Sequence, residues 1–194
     1  MVNFENENRY SFKRVSGLVL DMQPSLLGVI AEKDDLVEAV SIFCKAMNLF
    51  EIRTVITEQV PSKLGETANQ ISSLCTDSHI FSKKTFSAFG ESTFVSWVEK
   101  EKIQHLIITG IETPICVYLS AVDAIKQGME VTVLTDCIGA RRRGDAKQCL
   151  GELESIGCHL LPLETLLYSL LGSADHAVFR SISELVRART TLSL

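Results

Sequence analysis

The chain has 194 residues, 46% of them hydrophobic and 22% charged, with a formal net charge of −5. That length is enough for one domain with a full core. The acidic balance argues against a protein that grips nucleic acid through a broad basic surface.

In chain order, the polar stretch Met1–Ser11 has no apolar segment behind it, which predicts no secretory leader. No apolar run approaches the length of a membrane span. These features predict a cytoplasmic protein with no membrane or nucleic-acid partner. Residues 1–14 predict a flexible arm and residues 15–194 a single domain.

Short apolar runs predict strands at Gly17–Leu20, Ile52–Thr57, Ile80–Ser82, His105–Thr109, Glu130–Leu134 and Cys158–Leu161. Several are nearly continuous in Val, Ile and Leu, as in strands buried on both faces. Between them, Lys33–Leu49, Thr113–Gln127, Gly144–Ile156 and Pro162–Leu171 carry helical apolar periodicity, and Asp175–Arg189 predicts a last helix. Strand and helix in alternation predict an α/β fold: a three-layer α/β/α sandwich on a six-stranded, mainly parallel, Rossmann-like sheet.

The six cysteines, at positions 44, 75, 116, 137, 149 and 158, form no CxxC pair, and the histidines at 79, 105, 159 and 176 are scattered. Free thiols and no zinc site are therefore expected. Arg141-Arg142-Arg143 reads as a solvated loop.

Three strand ends deliver reactive groups. Leu18-Val19-Leu20-Asp21 ends in a carboxylate and Ile80-Phe81-Ser82-Lys83 in an ammonium, and the strand at Leu106–Thr109 leads to Cys116. Ligands of open parallel sheets bind beyond the carboxyl ends of the strands. A cysteine opening a helix there gains thiolate character from the free N–H groups and the helix dipole. Each residue also has an ordinary reading: a helix cap for Asp21, a solvated lysine for Lys83, a small core residue for Cys116.

In order and spacing, Leu20-Asp21-Met22-Gln23, Lys83-Lys84-Thr85-Phe86-Ser87-Ala88-Phe89 and Gly110-Ile111-Glu112-Thr113-Pro114-Ile115-Cys116-Val117 resemble the isochorismatase-like cysteine hydrolases. This superfamily includes nicotinamidases, N-carbamoylsarcosine amidohydrolases and isochorismatases. Ala121–Gly128 and Val131–Asp136 extend the resemblance, which spans about residues 15–170.

The resemblance implies a catalytic Asp-Lys-Cys triad at Asp21, Lys83 and Cys116, with Lys83 lowering the thiol pKa. It also implies a non-proline cis peptide at Ile111–Glu112 and an oxyanion hole from the N–H groups of Glu112 and Cys116. Gln23, Glu58, Gln59, Phe86 and Thr113 are candidate pocket residues, and Phe89 and Tyr118 candidate wall or core residues. The implied reaction is covalent hydrolysis of a small molecule's C–N bond through a thioester-type intermediate, in a homo-oligomer with contacts near Leu160–Leu171 and Val178–Val186.

Nicotinamidases of the metal-containing type carry an Asp and histidines soon after the second strand. Here Thr57-Glu58-Gln59-Val60-Pro61 and Leu64-Gly65-Glu66-Thr67 follow, with no histidine before residue 79. The expectation is a metal-independent enzyme without a cofactor. Hydrolysis of another bond, or a low-activity interaction or scaffold role, stands as the alternative.

Overall fold

The computed structural model describes residues 14–75 and 79–189. The arm expected over 1–14 lies outside the described residues except for Arg14. The elements run β1 (Val15–Leu20), α1 (Pro24–Leu27), α2 (Lys33–Leu49), β2 (Thr54–Gln59), α3 (Pro61–Leu64), α4 (Asn69–Ser72) and β3 (Ile80–Lys83). After these come α5 (Ser92–Glu101), β4 (His105–Ile111), a π-helical turn (Thr113–Val117), α6 (Tyr118–Lys126), β5 (Glu130–Gly139), α7 (Arg143–Ser155), β6 (His159–Leu161), α8 (Leu163–Leu171) and α9 (Phe179–Ala188).

The strands form one sheet in the order β3-β2-β1-β4-β5-β6, and every pairing is parallel. Alternate side chains point to opposite faces of a strand, so each face of the sheet has its own core. Val19, Ile56 and Ile107 join α2, α8 and α9 on one face. Leu18, Leu20, Val55, Leu106 and Ile108 meet Phe94 and Trp97 of α5, and Ala121 and Ala124 of α6, on the other. This double burial explains the unbroken apolar runs of β1 and β4.

The order reverses at the centre, where β1 leads outward to β2 and β3 while β4 leads the other way to β5 and β6. A crevice opens beyond the carboxyl ends of β1 and β4 at such a reversal. Gly110 lets the two strands converge there. Its φ is +107°, and a Cβ on it would fall 2.1 Å from the carbonyl oxygen of Leu20.

Several boundaries differ from the expected ones. β2 begins at Thr54 because the N–H of Ile52 still closes the end of α2 on Met47 O, at 2.9 Å. β2 ends at Gln59, carrying two polar residues inside the sheet. β5 runs on to Gly139 after a register shift opposite Ile108/Gly110. The helix expected over Thr113–Gln127 opens as the π-helical turn. α5 was not foreseen, and it buries Phe94, Trp97 and Val98.

α8 and α9 each turn an apolar face onto their own chain. Leu163, Leu166, Leu167, Leu171 and Ile182 are buried in the core, with Val178, Leu185 and Val186 packed against it.

Candidate active site

β1 ends by delivering Asp21, whose backbone is left-handed (φ 53°) and whose N–H donates to Thr57 O at 3.1 Å. Pairing to β2 is thus carried one residue past the strand, and the carboxylate is turned into the crevice, fully buried. Thr57 Oγ1 donates to Asp21 Oδ1 at 2.7 Å, and Lys83 Nζ donates to Oδ2 at 2.7 Å.

Strand alternation buries Lys83 and leaves Lys84 exposed. Besides Asp21, the Lys83 ammonium donates to Gln59 Oε1 (2.5 Å), to the carbonyls of Thr85 (3.3 Å) and Phe86 (3.2 Å), and to Cys116 Sγ (3.6 Å). The loop after β3 is anchored where the N–H of Ala88 donates to Ser120 Oγ on α6, at 2.9 Å.

Cys116 enters from the other side, on the π-helical turn after β4. The peptide between Ile111 and Glu112 is cis. The Glu112 carbonyl accepts from the N–H groups of Ile115 (3.0 Å) and Val117 (3.2 Å), on either side of the Cys116 N–H. Besides Lys83, the Glu112 backbone and the Asp21 carboxylate are the groups that act on the sulfur.

This environment pushes the Cys116 thiol up to about 12. Burial is the largest cause and the charge of Asp21 the next, and together they outweigh the downward pull of Lys83. Lys83 thus pulls the thiol pKa down as expected, but burial and Asp21 make the net shift upward. Burial also raises Asp21 above its ordinary value, against the opposing effect of Lys83.

Asp21 and Cys116 open onto a cavity of about 220 Å³, which Gln59 and Phe86 also line. Its other walls are Leu26, Val29 and Ile30 around α1, with Ile111, Glu112, Ile115 and Arg141 around the cysteine turn. The Glu112 carboxylate accepts from Arg141 Nε at 2.9 Å and from the Arg141 N–H at 3.1 Å.

The isochorismatase domain model matches residues 17–165, a span containing all of this machinery. The chain belongs to the isochorismatase domain family. It is 29% identical over 178 residues to isochorismatase domain-containing protein 2 of Danio rerio, covering 92% of this chain and 89% of that one. Among solved structures, one titled MAR1 ribonuclease from Caenorhabditis elegans superposes with a TM-score of 0.84 at 24% identity, covering 93% of this chain and 96% of that one. The YcaC gene product of Escherichia coli, described as an octameric hydrolase of unknown specificity, gives a TM-score of 0.79 at 20% identity, covering 91% and 95%.

Not every expected pocket residue of this isochorismatase-domain chain reaches the cavity. Gln23 is fully buried beneath it: Gln23 Oε1 accepts from the Gln59 N–H at 2.7 Å, while Nε2 donates to Gln59 O and Gly65 O. Gln23 therefore fixes the backbone of Gln59, which does line the cavity. Glu58 points elsewhere, its Oε1 accepting from the N–H (2.7 Å) and Oγ1 (2.9 Å) of Thr67. Thr113 donates through Oγ1 to Gly139 O at 2.9 Å and faces a separate cavity. Phe89 and Tyr118 pack with the core around α5 and α6.

Sequence reading missed the wall formed by Leu26, Val29 and Ile30, and it took Arg141 for plain surface. Among the described residues, no three His, Cys, Asp or Glu side chains come together to hold a metal ion.

Proposed function

We propose that the protein is a cysteine hydrolase that cleaves an amide-like C–N bond of a small molecule through a thioester on Cys116. The observation that carries this reading is the convergence of three groups, from the ends of β1 and β3 and the turn after β4, beside one cavity that Asp21 and Cys116 line. Asp21 is a base, Cys116 a nucleophile within its hydrogen-bonding reach, and Lys83 a cation touching both.

The chemistry follows from where the proton and the charge reside. At rest the proton is on sulfur, and the negative charge, on Asp21, is held by Lys83. As sulfur attacks the substrate carbonyl, Asp21 takes the thiol proton. Lys83 contacts both atoms, so it balances the anion whichever of the two carries it. The raised thiol pKa makes a free thiolate scarce but a strong nucleophile once its proton has moved.

The N–H groups of Glu112 and Cys116 would receive the oxyanion of the tetrahedral intermediate. Asp21 then returns its proton to the leaving nitrogen, the C–N bond breaks, and the thioester remains. Water, deprotonated by Asp21, attacks that thioester and frees the acid and the thiol.

A panel of small amides including nicotinamide, with ammonia release measured for the wild type and Cys116→Ala, tests this reading. Turnover by the wild type alone supports it, and equal turnover by both proteins removes it. The octameric description of the Escherichia coli YcaC protein supports a second proposal, that the chain assembles into a homo-oligomer. Light scattering coupled to gel filtration checks it, and a monomer across the micromolar range contradicts it.

A further inference from the structure

We infer that the cavity at Cys116 selects an uncharged aliphatic group over an anionic one, with Val29 at its rim setting that preference. This rests on the cysteine-hydrolase reading and adds the substrate class. At about 220 Å³ the cavity lies below the roughly 300–1,000 Å³ of sites for drug-sized ligands, so the occupant is small. Its wall away from the reacting atoms is hydrocarbon: Leu26, Val29, Ile30, Ile111, Ile115 and Phe86.

Two of those side chains are left to water. Val29 is 60% exposed and Phe86 58%, the highest values among the exposed large hydrophobic residues described. Both sit on this one cavity, where a bound hydrocarbon would cover them.

Charge points the same way. Each ionised side chain on the wall already has its counter-ion, Asp21 in Lys83 and Glu112 in Arg141. Lys83 donates to Asp21, Gln59, two carbonyls and the sulfur, which leaves it no N–H for a ligand. The Arg141 guanidinium is ion-paired with the Glu112 carboxylate through Nε, and the Arg141 backbone N–H holds the other carboxylate oxygen. A carboxylate entering the cavity would lose water and find both Lys83 and Arg141 already ion-paired.

The test uses two shape-matched alkylating reagents on the full chain, N-(3-methylbutyl)iodoacetamide and N-iodoacetyl-β-alanine. They differ in an isopropyl group against a carboxylate. In either case sulfur bonds to the methylene carbon, the C–I bond breaks, iodide leaves, and the thiol proton is lost to water.

Peptide mapping reads the labelling rate of Cys116, and Cys149, outside the cavity, reports the intrinsic reactivity of each reagent. The expected result is a Cys116 preference for the 3-methylbutyl reagent of at least about tenfold, the scale on which an apolar pocket discriminates. Val29→Asp should collapse that ratio while Cys149 is unchanged. Equal rates, or faster labelling by the carboxylate reagent, overturn the selectivity and leave the nucleophile reading standing. Labelling of Cys116 by neither reagent overturns both.

Discussion

Cys116 and Cys158 have nearly the same thiol and entirely different surroundings. Both are buried, and both are pushed up to about 12. For Cys158 burial is the cause, opposed by a backbone contact from Val133, and its thiol donates to the carbonyls of Val131 and His159. For Cys116 burial is joined by a carboxylate that can take its proton and a cation that can hold the resulting charge. Only Cys116 of the two lines the cavity. A raised pKa thus says little about reactivity. What separates the two cysteines is whether the proton has somewhere to go.

The largest expected difference comes from removing each sulfur in turn. Cys116→Ala should lower kcat by at least about 10⁴-fold, as loss of a covalent nucleophile does. Cys158→Ala should leave kcat within about twofold and cost about 1 kcal/mol of stability, for one buried atom removed. Steady-state rates and denaturant melts check both, and similar losses of activity would erase the distinction.

Asp21→Asn sharpens it by moving two observables in opposite directions. Turnover should fall about 10²–10⁴-fold with the base gone. The charge and hydrogen bond of Asp21 hold the thiol up, so removing them lowers the pKa of Cys116 beside Lys83. Iodoacetamide labelling of Cys116 at pH 8 should then speed up while that of Cys158 stays the same. Slower labelling of Cys116 would contradict the assigned direction.

Lys83→Met leaves a fully buried carboxylate without its cation. Breaking such a pair costs about 3–5 kcal/mol, which a urea melt reads directly. A smaller effect is expected in the pH profile. Asp21 must be ionised to accept the proton, and burial raises its pKa above that of an ordinary aspartate. The acid limb of kcat/KM should therefore fall at a higher pH than an exposed aspartate gives, and shift or vanish in Asp21→Asn.

The sheet was legible in the sequence because strands buried on both faces read as unbroken Val, Ile and Leu. The same rule hid the end of β2, where Glu58 and Gln59 are buried polar residues whose partners are distant in the chain. The trio at Asp21, Lys83 and Cys116 was legible because each residue directly follows or ends an apolar strand, or sits on the turn after one. The cavity wall was not. Leu26, Val29 and Ile30 resemble any residues around a short turn until the fold sets them in the wall of the Cys116 cavity. Arg141 gains its place only from Glu112, 29 positions away. Gln23 and Thr113 lay near the right motifs, but backbone groups of Gln59 and Gly139 took their side chains. α5 could have been read from the spacing of Phe94, Trp97 and Val98.

The central claim, that Cys116 carries the acyl group, is tested most directly by peptide mass spectrometry of protein acid-quenched during reaction with p-nitrophenyl 4-methylpentanoate. A 4-methylpentanoyl adduct is expected on the Cys116 peptide, decaying by hydrolysis and absent from Cys116→Ala. Enzymatic turnover of the ester with Cys116 unmodified throughout, or at an undiminished rate in Cys116→Ala, would contradict it.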